Sequence, residues 1–213
     1  MQLLMILAFL AAPAAAATFD FASGELRRAP GVSMVSDGIG LTLAGTDESG
    51  TQAHDLTLGG GRGLGIAGTG DSDPWASQIE SWGAATEQLQ LTFDRAVRIK
   101  TITFTWTDFD DRVGLSGAGR SATFKPGPSG LLVLGGGDWT GTQFTLAPET
   151  WTFCTWYSGQ NMCEARHSGF RVSSIEVSEA TAVVPLPASV LMLSGALAGL
   201  GAVAWRRKKV NQR

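Results

Sequence analysis

The residues in this 213-residue chain best equipped for chemistry are carboxylates, and they gather in two short runs. Asp71-Ser72-Asp73 sits in a glycine-rich stretch, and Asp108-Phe109-Asp110-Asp111 follows an apolar run. Loops this rich in oxygen supply hard-cation ligands, of which calcium takes about six to eight. Asp71, Asp73, Asp108, Asp110 and Asp111 are therefore a candidate metal site, and Ca2+ is the ion whose preference fits. Neither run has the spaced EF-hand pattern, so the fold would have to bring them together. The competing explanation is that these aspartates form turns, where the short carboxylate bonds nearby backbone. Hydrolysis is a poorer reading of Asp110-Asp111, because neighbours on a strand point to opposite faces. Paired glycosidase acids instead face each other across a gap.

Seven tryptophans stand against one tyrosine. Trp75, Trp82, Trp139, Trp151 and Trp156 lie in or beside polar segments. There an indole can stack on a sugar ring while Asp, Gln or Asn neighbours bond its hydroxyls. Trp75, Trp82 and Trp139 are the first choices for such a glycan platform. Core packing is the competing fate of any tryptophan, and it is the one expected for Trp106, in phase with Ile102 and Phe104. Cys154 and Cys163 flank the turn-like Ser158-Gly159-Gln160-Asn161, a spacing that suits a local disulfide in an oxidising space. A thiol nucleophile or a metal pair would need a partner motif, and the two histidines, His54 and His167, have neither triad nor metal spacing. Gly63-x-Gly65-x-x-Gly68 formally matches a dinucleotide fingerprint but precedes no helical run, so it reads as a flexible loop. No catalytic residue is assigned.

The elements that must position these groups are strands. Leu89, Leu91 and Phe93 alternate with polar residues, as do Val97 and Ile99; Ile102, Phe104 and Trp106 continue one residue out of step. That offset predicts a bulge near Lys100 and Thr101. Further strands are predicted over 40–44, 120–125, 131–134, 142–146, 151–157 and 170–177. The last repeats the offset, with Phe170 and Val172 followed by Ile175 and Val177. Gly, Asp, Ser and Pro separate the runs, and no internal stretch sustains a 3.6-residue apolar period. The expected fold is all-β, an antiparallel β-sandwich of jelly-roll type.

The two ends say where the protein goes. From Ala188 to Trp205 run eighteen residues without a formal charge, a helix length of about 27 Å against a hydrocarbon core of about 30 Å. Arg206-Arg207-Lys208-Lys209 follow directly and would stay cytoplasmic, so everything before Val184 is expected on the far side. Before the apolar run, Pro185 and Pro187 favour an extended, accessible strip. At the other end, Leu3 to Leu10 and the small residues Ala14 to Ala17 read as a secretory signal cut near Ala17. The expected organisation is a signal peptide over 1–17, an exported domain over 18–177, a linker over 178–183 and a tail over 184–213. The tail contains a transmembrane helix over 188–205.

The tail, Val184-Pro185-Leu186-Pro187-Ala188 with its apolar run and the Arg206-Arg207 end, resembles the PEP-CTERM sorting signals of bacteria in their VPLPA-CTERM variant; Leu186 stands where the commoner form has Glu. The resemblance implies recognition by an exosortase, a membrane-embedded cysteine transpeptidase-like enzyme of Gram-negative bacteria. Membrane anchoring would then precede display at the cell surface or release. More loosely, Gly63-Leu64-Gly65-Ile66 and the Glu87 to Asp94 run resemble the exported β-sandwich domains that often precede such tails. Outside the tail, nineteen acidic residues face eleven basic ones, a charge near −8. That balance disfavours nucleic acid as a partner and suits cations or neutral glycans. The reading that follows is a non-enzymatic surface or extracellular-matrix protein. A carbohydrate-binding module acting on exopolysaccharide is the second reading, and a secreted hydrolase the third.

Overall fold

A computed structural model describes residues 16–50, 53–67, 78–81, 86–108, 110–135, 138–157 and 160–180. The described residues are all β, with every strand pair antiparallel and no helix among them. In chain order the strands are β1 (Ala16–Asp20), β2 (Arg27–Ala29), β3 (Val32–Ser36), β4 (Ile39–Asp47), β5 (Ala53–Leu58), β6 (Gly65–Ala67), β7 (Ile79–Glu80) and β8 (Glu87–Thr105). They continue with β9 (Val113–Gly117), β10 (Arg120–Phe124), β11 (Leu131–Val133), β12 (Thr140–Pro148), β13 (Thr150–Tyr157), β14 (Gln160–His167) and β15 (Gly169–Glu179).

The spine is β8, 19 residues long. Its first half buries Leu89, Leu91 and Phe93 and its second half Val97, Ile99, Ile102 and Phe104. Each such side chain contributes roughly 1.5–3 kcal/mol relative to exposure. Between the halves Asp94, Arg95 and Ala96 are all exposed, and the sheet forks there. On one side of β8 run β12 and then β11; on the other, β4 pairs with the first half and β15 with the second. From β4 the chain of pairing continues through β5 to β6. Leu64 then bridges back to Val172 of β15 by Leu64 N to Val172 O at 2.7 Å and Val172 N to Leu64 O at 2.9 Å. The pairing thus closes around one apolar core.

Both predicted phase shifts are real and lie in the same strand pair. Ile99 pairs with Val177 and Thr101 with Glu176, which leaves Lys100 as the extra residue of a bulge. Val172 pairs with Phe104 and Ser174 with Thr103, which leaves Ser173 as its counterpart on β15. A period of two admits no other way to keep both apolar sets inward.

One expectation is corrected, and two strand ends fall inside the stretches read as linker and leader. Gly63 to Ala67 are not a loose loop, and Gly68 lies outside the described residues: Leu64 is bridged, Gly65 to Ala67 form β6, and Leu64 and Ile66 are fully buried. Gly63 is required there, at φ 85, because a Cβ would lie 2.6 Å from the Val172 carbonyl oxygen. The linker placed at 178–183 is strand through Glu179, with Ala180 N bonded to Ala96 O at 3.0 Å. At the other end β1 begins at Ala16, inside the stretch read as leader; Ala17 is buried and pairs with Val177. Small apolar residues suit a processing site and a buried strand equally, so composition alone does not separate the two.

Candidate functional site

At the end of the domain where β15 begins stands a guanidinium inside the core. Arg171 is fully buried although its neighbours in sequence, Phe170 and Val172, are the expected core residues. Its Nη2 donates to Gly63 O at 2.7 Å, to Thr57 Oγ1 at 3.1 Å and to Thr57 O at 3.4 Å, and its Nε to Arg62 O at 3.1 Å. Burial, and secondarily the charge of Arg62, lower its pKa to about 10. The planar fork ties the Gly59–Gly63 turn region to β15 in a way that the point charge of a lysine would not match.

Trp106 completes this cluster and departs from the sequence expectation. It is 46% exposed rather than core. The reason is local: β8 stops at Thr105 and Trp106 takes φ 58, a left-handed conformation that ends the alternation. Its ring lies 5.2 Å from the Arg62 guanidinium and 5.8 Å from that of Arg171. Its carbonyl accepts from Gln78 Nε2 at 3.1 Å.

Next along the chain the Asp108–Arg112 loop is tied to the start of β15. Asp111 is buried; its Oδ2 accepts from Asp108 N at 2.5 Å and its Oδ1 from Gly169 N at 3.2 Å. Burial raises its pKa, against the pull of those two amides. Each carboxylate oxygen accepts one backbone amide, so Asp111 staples the loop to the start of β15. Asp108 is exposed and Asp110 half-buried. Among the described residues no three His, Cys, Asp or Glu side chains converge as a metal site would require. Asp71 and Asp73 lie outside the described residues.

Ser168 is the knot beside this loop. Its Oγ accepts from Arg112 N at 2.9 Å and donates to Glu149 O at 2.8 Å. Its N donates to Ser81 Oγ at 3.1 Å, and its carbonyl accepts from Ser81 N at 3.2 Å. His167 Nδ1 donates to Ser81 O at 2.9 Å. Serine, histidine and aspartate meet here, yet the Ser168 hydroxyl proton is given to a backbone carbonyl. The chemistry of the cluster is that of a clamp.

What the clamp holds is an arm. Strands β13 and β14 form a two-stranded sheet separate from the rest, and from Thr152 to Arg166 every described side chain is exposed. Cys154 and Cys163 are direct cross-strand partners and form the disulfide anticipated from their spacing, with Cα atoms 4.0 Å apart. An exposed cystine of this kind fits an oxidising, extracytoplasmic compartment. Alternation assigns the faces. One carries Thr152, Cys154 and Trp156 opposite Ala165, Cys163 and Asn161; the other carries Trp151, Phe153 and Thr155 opposite Arg166, Glu164 and Met162. On the second face a guanidinium sits over each ring, Arg112 lying 4.8 Å from Trp151 and Arg166 5.2 Å from Phe153, which is still 42% exposed. On the first, Trp156 is 72% exposed.

The tryptophans chosen from sequence fare differently. Trp139 is 3% exposed, packed edge-on against Phe124 at 6.0 Å with the Arg120 guanidinium 5.0 Å from its ring. It belongs to the core and offers no face to a sugar. Trp75 and Trp82 lie outside the described residues, as do Val184, Pro185, Leu186, Pro187, Ala188, Arg206 and Arg207. The buried Arg171 left no sequence signal, since a charged residue at that position reads as exposed. No family profile, curated protein or solved structure matches the chain.

Proposed function

We propose that this is an exported, non-enzymatic β-sandwich of jelly-roll type, sorted by an exosortase through residues 184–209 in a Gram-negative envelope and serving at the cell surface or in the extracellular matrix. The observation that carries the reading is the arm's cystine. A disulfide held on an exposed hairpin, away from any core, persists only where the surroundings are oxidising. The tripartite tail independently calls for export, and the acidic domain ahead of it suits a soluble extracellular life. The described strands end at Glu179, a few residues before Val184, so a folded domain would be followed almost at once by the recognition strip. The Ser168 clamp supports a structural role, because its hydroxyl and amide are spent on holding loops together.

The test is maturation in the native host. Replacing Pro185 and Pro187 by Ala should leave export intact and block processing of the tail, because the extended strip is lost. Unchanged maturation of that double variant sinks the exosortase reading.

A further inference from the structure

We propose that the cystine-bearing face of the β13–β14 arm, centred on Trp156, is a binding platform for a neutral polysaccharide chain. The proposal deepens the surface and matrix reading above by naming a partner class, and it rests on that reading only for where the partner is met.

The first ground is the contrast between the arm's two faces. Arg112 and Arg166 sit over the rings of Trp151 and Phe153, so one face of each ring is occupied within the protein, and Phe153 keeps 42% exposure. Trp156 on the opposite face is 72% exposed, far beyond what a ring kept for packing would show. An exposed indole beside hydrogen-bonding side chains is the chemistry that grips a sugar, apolar ring against apolar ring face and polar groups against hydroxyls. Asn161 stands directly opposite Trp156, and Thr152 lies beyond the disulfide on the same face.

The second ground is charge. From Thr152 to Trp156 and from Asn161 to Ala165 the cystine face carries no ionisable group besides the paired cysteines. On the other face Arg166 Nη2 and Glu164 Oε1 form an ion pair. An acidic polysaccharide would find no free cationic surface on this platform, whereas a neutral chain needs none.

The third ground is rigidity and direction. The disulfide fixes the strand pair two residues from Trp156, which lowers the ordering cost on binding. The arm springs from the start of β15, and the chain leaves the domain at the far end of that strand, beyond Glu179. Eleven residues of strand separate the two ends by about 33 Å. The arm and the last described residue of the domain therefore lie at opposite ends of β15.

The experiment is affinity electrophoresis of the mature protein purified from its host, in native gels carrying dextran, laminarin or a neutral galactan, with alginate as the acidic counterpart. Retardation by at least one neutral chain is expected. Trp156→Ala should weaken it at least tenfold, and Phe153→Ala should leave it within about twofold. Reduction of the disulfide should weaken it as well. No retardation by any neutral chain overturns the proposal, as does retardation by alginate alone or full binding by Trp156→Ala. Sedimentation of the same samples covers the other occupant: self-association that Trp156→Ala abolishes, without any glycan effect, overturns it in favour of a second copy of this chain. Tail maturation is read by mass and does not involve the arm, so failure of the sugar test and failure of the sorting reading are distinguishable.

Discussion

Reducing the Cys154–Cys163 bond should melt the arm and leave the rest of the domain nearly untouched. Nine positions separate the cysteines, and closing a loop of about ten residues is worth about 2.7 kcal/mol in the chain-entropy model. Two-stranded hairpins without other support are marginal at best in water. If opening of the reduced arm is close to balanced, the bond holds the open population near 1%, and reduction raises the opening constant about a hundredfold, to about half the molecules open. The rest of the sheet would not share that loss, because β13 and β14 form a separate sheet and their side chains are exposed from Thr152 to Arg166. Were the arm part of the cooperative core, 2.7 kcal/mol would lower the Tm by about 5–11 °C in a domain of this size; the expected shift is under about 2 °C.

Limited proteolysis with fragment mapping, run beside thermal melts with and without a phosphine reductant, separates the two cases. The expected result is new cleavage confined to residues 150–167, faster by one to two orders of magnitude, with a nearly constant main transition. Cleavage throughout the domain together with a Tm drop of 5 °C or more would refute the separation of arm and core. Unchanged cleavage would show that the strands need no cystine to stay paired.

Arg171→Met keeps much of the volume but strips donors from Arg62 O, Gly63 O and Thr57. It should cost about 2–4 kcal/mol in denaturant unfolding, as the lost charged hydrogen bonds outweigh the relief of a buried cation; a more stable variant would show that the desolvation cost dominates. Asp111→Ala leaves the amides of Asp108 and Gly169 without their acceptor and should cost about 1–3 kcal/mol, equally in calcium and in chelator, whereas a loss seen only with calcium would restore the metal site. Because burial holds the Asp111 pKa above the ordinary carboxyl value of 3.8, the native state binds more protons than the unfolded one just above that pH. Its contribution is therefore present below pH 3.8 and is lost as pH rises through the folded pKa; melts of wild type and Asp111→Asn across pH 3 to 6 should diverge in that sense.

Much of the strand framework was legible because period-two alternation is a direct image of burial. The run from Leu89 to Phe104 showed both its two apolar sets and the slip between them, and Lys100 is where the slip falls. The hairpin Ser36-Asp37-Gly38-Ile39 was also readable in principle, since Asp37 and Gly38 at φ 48 and 78 are the residues a tight two-residue turn prefers. Its second strand was read over 40–44, but the turn was not, because β3 buries only Val32 and shows little alternation of its own. Elements as short as β6 and β7 carry too few residues to show any period. Trp106 misled because alternation predicts an inward side chain only while the backbone stays extended, and φ 58 ends that condition. Trp139 misled the other way, its polar neighbours Asp138 and Thr140 concealing a ring turned into the core. In the arm, the cysteine pairing was legible from spacing. Which aromatic faces stay open was not, because it depends on Arg112 and Arg166 folding over two of them.

The most direct test of the account is the intact mass of the protein recovered from its native host. The reading predicts a mature chain that begins between Ala16 and Thr18, ends near the Val184–Ala188 motif and is 2 Da lighter than its reduced form because of the one cystine. A chain retaining residues 189–213 would contradict the sorting, and one still carrying Met1 and a pair of free thiols would contradict the export.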